Sequence, residues 1–275
     1  MLELFETDWR VVWNGAEDGA AVGAIYTKPE IVDLILDLAG YRPEIARLTT
    51  HRLLEPSCGD GAFLQAILSR LISSERHHAK AIDWGSVDLE RSVRAVDLSA
   101  AAVHKARSLI IEILVREGCP TTRAAALANT WAIQGDFLLA AWDETFSIVV
   151  GNPPYVRLED LPKAVLGEYR RQYTTLKDRA DLYIAFFERG LQLLDAQGVL
   201  AFICANRFAK NQYGSALRKM IAEQFRVRHY VNLEHTQPFA SDVSAYPAIV
   251  LVDRQLGEAT QAGTLEDLEI STLDA

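Results

Sequence analysis

The chain has 275 residues, a length that allows one large domain or two small ones. Its 49% hydrophobic and 24% charged residues exclude a disordered chain, a collagen-like repeat and a small disulfide scaffold. No apolar run approaches the roughly 20 residues of a membrane span, and the amino terminus does not resemble a signal peptide. The three cysteines lie far apart, so we expect a cytoplasmic protein with reduced thiols.

The net charge of −9 at first argues against a nucleic-acid partner. Residues 256–275, however, hold five acids and no base, so that residues 1–255 carry only −4. Within residues 205–230, six bases stand against the single acid Glu223. Most charge runs are solvated helix faces, and these bases matter only if a motif places them beside a cleft.

Hydrophobic periodicity predicts helices and strands in alternation. In chain order they are a helix at 28–40, a strand at 52–55, a helix at 61–74, a strand at 93–97, a helix at 100–118, strands at 131–134 and 146–151, a helix at 182–194, a strand at 199–205, a helix at 216–225, and strands at 227–233 and 248–252. We expect loops or small surface insertions at 73–90 and 118–129.

This alternation predicts an α/β fold with a Rossmann-like, seven-stranded, doubly wound sheet that is mostly parallel. Residues 239–248 leave no room for a crossover helix, so the last strand is expected to run antiparallel. We expect an N-terminal extension at 1–23 and one domain at 24–255. The acidic tail at 256–275 is expected to be extended, disordered or the start of a further segment.

The first chemical motif closes one strand and opens the next helix, with the sequence Glu-Pro-Ser-Cys-Gly-Asp-Gly at 55–61. Its glycines let the backbone turn sharply, and the amides at the helix start can receive an anion. The dinucleotide spacing GxGxxG is absent, which counts against a nicotinamide site.

Two acids follow the next two strands. Asp97 ends its strand, where an acid commonly accepts hydrogen bonds from the two hydroxyls of a ribose. Asp136 is followed by Phe137, and this pair suits an adenine, with the acid accepting from the amine and the ring packing on its face.

The most specific motif is Gly-Asn-Pro-Pro-Tyr at 151–155. Because prolines fix the backbone and lack a donor, the side-chain oxygen of Asn152 and the carbonyl of Pro153 can both accept from one planar amino group. An aromatic amine is a poor nucleophile because its lone pair is delocalised, and two acceptors pull its nitrogen towards tetrahedral geometry. Tyr155 can stack on the ring that bears the amine.

With these motifs in this order, the chain resembles the S-adenosylmethionine-dependent DNA adenine-N6 methyltransferases over about residues 24–254. The resemblance implies the class I methyltransferase fold, S-adenosylmethionine as cofactor, double-stranded DNA as substrate and no metal. It places residues 24–255 in one catalytic domain of a restriction-modification or phage-defence system. The cofactor residues that it implies are Tyr26, Thr27, Glu55, Pro56, Ser57, Cys58, Gly59, Asp60, Gly61, Asp97, Leu98, Asp136, Phe137 and Asn152.

The same resemblance implies that the target adenine is flipped out of the duplex and methylated at N6. Asn152 and Pro153 would hold its amine, while Tyr155 and Phe239 would stack on opposite faces of the base. The basic residues that follow the fifth strand are candidates for phosphate contacts. These are Arg207, Lys210, Asn211 and Arg218.

The sequence shows no target-recognition domain, so we expect specificity to come from a further domain or a partner subunit. Protein glutamine-N5 and RNA amino-methyltransferases use the same Asn-Pro-Pro-Tyr chemistry and remain alternatives. A non-catalytic cofactor-binding subunit is a third possibility. The segment at 26–39, which begins with a resemblance to the N-terminal motif of the DNA adenine-N6 methyltransferases, and the loop at 55–61 favour the DNA enzymes.

Overall fold

A computed structural model describes residues 8–14, 25–59, 61–177, 179–240, 246–257 and 259–265. The predicted cofactor residue Asp60 lies outside the described residues, as do most of the 1–23 extension and the end of the 256–275 tail.

The helices and strands follow one another in the predicted alternation. The helices are α1 Trp9–Trp13, α2 Pro29–Leu38, α3 Ala62–His78, α4 Val87–Arg91, α5 Ala100–Arg116, α6 Thr121–Trp131, α7 Lys163–Gln172, α8 Tyr183–Gln192, α9 Arg207–Lys210 and α10 Ser215–Gln224. The strands are β1 Leu53–Glu55, β2 Val93–Asp97, β3 Ala132–Gln134, β4 Phe146–Gly151, β5 Leu194–Ala205, β6 Arg226–Asn232, β7 Pro247–Asp253 and β8 Gln261–Thr264.

All described strands form one sheet in the order β3-β2-β1-β4-β5-β7-β6-β8. The strands from β3 to β5 are parallel, and β7 pairs antiparallel with both β5 and β6, which confirms the predicted α/β sheet and its antiparallel strand. The predicted number of seven strands is wrong, because β8 in the acidic tail pairs in parallel with β6. Its four residues are all exposed and include Gly263, so it lacks the apolar alternation by which strands are recognised.

The sheet has an apolar core on each face. Successive residues of β5 alternate between the two cores: Val199, Ala201 and Ile203 pack with α2, α3, α5 and α6, whereas Leu200, Phe202 and Cys204 pack with α1, α7, α8 and α10. A strand buried on both faces reads as a continuous apolar run. This is why the central strands were predictable.

The loops expected at 73–90 and 118–129 are wrong, because α3 continues to His78 and both stretches contain or begin further helices. Ser86 caps α4 by accepting the amide of Leu89. In α6 two of the four buried residues are alanines, which give a weak hydrophobic period. Within the described ranges, no helix is both long and apolar enough to cross a membrane.

The described part of the expected N-terminal extension packs against the core. Asp8 caps α1, whose Trp9 and Trp13 are buried beside α7. These residues therefore belong to the same body as the domain expected at 24–255.

Candidate active site

The main cavity lies at the carboxyl ends of β1, β2, β3 and β4 and has a volume of about 760 Å³. Since β2 and β4 flank β1 on opposite sides, this is the point where the strand order reverses. In open α/β sheets, small molecules bind at this switch point, and the volume is typical of such sites.

The loop after β1 forms one wall of the cavity, and Pro56, Ser57, Cys58 and Gly59 all line it. Gly59 has φ +50°, which glycine adopts without strain, and its amide donates to Asp97 Oδ2 at 2.8 Å. Gly61, a predicted cofactor residue, caps α3 with φ +93° instead of lining the cavity. A Cβ there would lie 2.7 Å from Leu109, so close packing explains that glycine.

Asp97 joins the loops that follow β1 and β2. Its Oδ1 accepts the amide of Ser99 at 2.8 Å, and its Oδ2 accepts that of Gly59. Burial raises the pKa of Asp97, while these two amides lower it. A carboxylate has about four acceptor positions, so the described contacts leave two on the cavity side of the loop for a diol.

Asp136 has a different environment from the one predicted. Its Oδ2 accepts the indole N–H of Trp13 at 2.8 Å and the hydroxyl of Tyr169 at 2.6 Å. Its Oδ1 accepts the amides of Leu138 and Leu139 at 2.8 and 3.3 Å. Burial raises the pKa of Asp136, and these donors lower it. As the side chain stands, four protein donors fill its acceptor positions, so the predicted bond from an adenine amine has no acceptor here.

Asn152 sits just after β4 with one end of its amide anchored. Its Nδ2 donates to the carbonyl of Ile25 at 2.9 Å and to Thr27 Oγ1 at 3.2 Å. Its Oδ1 is buried and has no hydrogen-bond partner in the described part of the chain. A buried acceptor normally has a partner, so this oxygen is suited to accept a hydrogen bond from a ligand in the cavity.

Tyr155 and Phe239 are brought together, as expected, but not as a parallel pair. Their ring centroids are 6.1 Å apart and their planes are inclined by 79°, an edge-to-face contact. Phe239 is held by antiparallel pairing with Thr27, flanked by a bond from the amide of Ala240 to the carbonyl of Tyr26. Phe239 is buried outside the cavity lining, so a base stacked between these rings requires them to separate.

The four predicted phosphate contacts all lie on or after α9 and do not line the cavity. Arg207, Lys210 and Asn211 are exposed. Arg218 is not, because its guanidinium donates to the carbonyls of Phe208 and Asn211 at 2.5 and 2.8 Å. These two bonds cap the end of α9 and use only one of the guanidinium nitrogens, so a phosphate contact by Arg218 stays a prediction.

The cavity wall includes most of the predicted site and several residues that no motif indicated. The predicted residues that line it are Tyr26, Thr27, Glu55, Pro56, Ser57, Cys58, Gly59, Asp97, Leu98, Asp136, Phe137, Asn152, Pro153 and Tyr155. Residues missed by the sequence analysis include Trp13, Lys105, Asp160 and Tyr169. They lie on helices or loops whose sequences have no recognisable spacing.

The sheet topology and the position of the cavity together define the class I methyltransferase fold. A solved structure described as a class I S-adenosylmethionine-dependent methyltransferase from Listeria monocytogenes matches with a TM-score of 0.63 and 14% identity, over 95% of this chain and 72% of that one. This similarity confirms the predicted fold class.

The chain belongs to the Eco57I restriction-modification methylase family, whose model matches residues 75–239. It is 46% identical over 256 residues to the Type II methyltransferase M.PaeR7I of Pseudomonas aeruginosa, covering 92% of this chain and 44% of the relative. It is also 44% identical over 232 residues to M.XhoI of Xanthomonas vasicola, covering 84% and 42%. The chain thus spans less than half the length of these two relatives.

Proposed function

We propose that this chain is the catalytic domain of a site-specific DNA adenine-N6 methyltransferase in a restriction-modification system. In this proposal, a methyl group passes from S-adenosylmethionine to N6 of an adenine flipped out of double-stranded DNA. Family membership supports the restriction-modification setting, and the geometry around Asn152 supports the amine as the acceptor.

The cavity fits the cofactor in its hydrogen-bonding groups and in its size. Asp97 offers acceptor capacity for ribose hydroxyls, Phe137 offers a ring for adenine, and the open space beside Gly59 admits the ligand close to the backbone. Tyr26, Thr27 and Glu55 line the part of the wall beside Asn152. When bound, the cofactor supplies an electrophilic methyl group on a sulfonium.

Asn152 carries the proposal. Because Ile25 and Thr27 accept from its Nδ2, the side-chain oxygen must face the other way, towards the expected position of the amine. That oxygen would accept one N–H of the amine and draw the nitrogen towards tetrahedral geometry. A new N–C bond would form as the S–C bond of the cofactor breaks, which leaves S-adenosylhomocysteine, and the amine would release its proton to solvent.

The target base would occupy the space beside Tyr155. Its ring contacts Phe239, and its buried hydroxyl has no partner within the described ranges. Burial raises the pKa of Tyr155 well above its ordinary value, so the phenol stays neutral and the ring is a stacking surface. Stacking recovers roughly 1–3 kcal/mol per base towards the cost of flipping.

Contacts to DNA outside the pocket would come from the exposed Arg207, Lys210 and Asn211 and from parts of the protein outside this chain. Because affinity for DNA depends largely on phosphate neutralisation, a chain of charge −9 is expected to bind DNA weakly. Sequence specificity would then belong to a target-recognition domain or a specificity subunit.

The acceptor is identified by supplying labelled S-adenosylmethionine with mixed double-stranded DNA, RNA and protein, and digesting the product. We expect label in DNA as N6-methyladenine. Label confined to protein would favour the glutamine-N5 alternative, and label on cytosine would contradict the adenine assignment.

Asn152→Ala tests the geometry that carries the proposal. We expect the variant to lose at least about 100-fold in methyl transfer, because it removes an acceptor used in the transition state. Cofactor binding measured by calorimetry should change little. Asn129→Ala, which removes an exposed amide on α6 outside the cavity lining, is the control and should transfer normally. Unchanged transfer by Asn152→Ala would overturn the assignment.

A further inference from the structure

The cofactor cavity has two wall residues that the function just proposed does not use. Trp13 comes from α1, near the amino terminus, and Tyr169 comes from α7. Both line the cavity and both donate to the same carboxylate oxygen, Oδ2 of Asp136. All three side chains are at least nine-tenths buried.

We propose that Trp13 and Tyr169 are positioning residues of the cofactor site that act through Asp136, and that α1 is therefore part of this site. The inference rests on the proposed function only in taking S-adenosylmethionine as the ligand of the cavity.

Asp136 connects three separate segments at one end of the cavity. Trp13 brings α1, Tyr169 brings α7, and the amides of Leu138 and Leu139 bring the turn after β3. A buried carboxylate that loses one of its donors is left with an unsatisfied charged oxygen, which is costly inside a protein. Loss of any one of these donors is therefore expected to displace Asp136 and the segments bonded to it.

The consequence for the ligand follows from the place of Phe137. This ring follows Asp136 directly in the chain and lines the same wall, so a shift of the backbone at Asp136 also moves the ring. If Asp136 loses a donor, its oxygen must turn towards the cavity to find another. Both the shape and the polarity of the wall then change where adenine is expected.

The test measures binding of S-adenosylhomocysteine by calorimetry and the melting temperature of each variant in the full chain. Trp13→Phe and Tyr169→Phe keep an aromatic ring and each remove one donor to Asp136. The controls are Trp131→Phe and Tyr213→Phe. Trp131 is buried and donates its indole N–H to the carbonyl of Glu90, and Tyr213 is half-buried and donates its hydroxyl to Asp181 Oδ2 at 3.1 Å. Neither control residue lines the cavity.

All four variants should lower the melting temperature, since each removes a hydrogen bond that is at least partly buried. Only Trp13→Phe and Tyr169→Phe should also raise the dissociation constant, by about 5- to 10-fold, which corresponds to the loss of one hydrogen bond. The two controls should bind within about 2-fold of the wild type, well below the effect of one such bond.

Two results would overturn the inference. One is unchanged affinity in both site variants, which would give Trp13 and Tyr169 a purely structural role. The other is tighter binding, which would show that they compete with the ligand for Asp136. If one variant fails to fold, the other decides. A wild-type chain that binds the ligand but methylates no DNA would contradict the proposed function and leave this inference standing.

Discussion

The amide of Asn152 is oriented by residues more than a hundred positions away in sequence. Nδ2 is bonded to Ile25 and Thr27 on the stretch before α2, and that stretch is itself paired with Phe239. The amide of Asn152, the segment before α2 and the aromatic residue after β6 are thus connected through hydrogen bonds. A substitution at Thr27 should therefore change the orientation of the Asn152 amide and, with it, the rate of methyl transfer.

Thr27→Val tests that connection, because valine keeps the shape of the side chain and removes the hydroxyl. With only Ile25 left to accept from Nδ2, the orientation of the amide is less fixed, and we expect methyl transfer to fall by about 5- to 10-fold. Steady-state rates at saturating cofactor and DNA would measure it. Thr49→Val is the control, since Thr49 is equally buried but bonds Glu75 far from the cavity. Equal losses in both variants would contradict the special role of Thr27.

The residues at the ends of the strands were predictable for a physical reason. Asp97 and Asn152 follow buried parallel strands, whose carboxyl ends meet at one edge of the sheet. The partners of Asp136 were not predictable, because Trp13 lies 123 positions away and its bond depends on how α1 packs. A sequence pattern fixes which end of a strand a residue occupies, but not which distant donors reach it.

At the scale of elements, helix α8 packs unusually close to the sheet. Gly190 faces β4 and β5, where an added Cβ would lie 2.6 Å from Leu200 and 3.4 Å from Val149. Leu200 is fully buried in β5 and has no room to give way. By contrast, an added Cβ at Gly167 of α7 meets no atom within 4 Å among the described residues.

Replacing each of these glycines with alanine should therefore have opposite effects. Gly190→Ala should lower the free energy of unfolding by about 1–3 kcal/mol through overpacking. Gly167→Ala should raise it by about 0.5–1 kcal/mol, because alanine restricts the unfolded chain and favours helix. Urea titration of both variants measures the two changes. A destabilised Gly167→Ala would mean that α7 has packing partners beyond those described.

The elements that the sequence analysis missed share a weak pattern. Helix α4 has only five residues, α6 buries just two large apolar side chains, Leu127 and Trp131, and β8 is exposed along its whole length. The elements that it predicted bury large apolar side chains at a clear period, as α2 does with Ile31, Leu34 and Ile35. Predictability followed the amount of apolar surface that each element buries.

At the scale of the whole molecule, the cavity is bounded by elements from both faces of the sheet. Its walls come from loops after β1 to β4, from α5, and from α1 and α7 on the opposite face of the sheet. A ligand that binds there contacts segments from both cores. Binding should therefore stabilise the molecule as a unit rather than a single loop.

Cofactor binding should accordingly raise the melting temperature of the whole chain. At a concentration of S-adenosylhomocysteine about 100 times its dissociation constant, the gain is about 2.7 kcal/mol. For a chain of this size, that corresponds to a shift of about 5–10 °C, which differential scanning calorimetry would resolve. Nicotinamide adenine dinucleotide contains the same adenosine, but this chain lacks the GxGxxG spacing typical of dinucleotide sites. The dinucleotide should therefore give a much smaller shift in melting temperature. Asp97→Ala should lose most of the shift, since it removes the acceptors for the ribose. An equal response to both ligands, or an undiminished response in Asp97→Ala, would contradict the cofactor site as described.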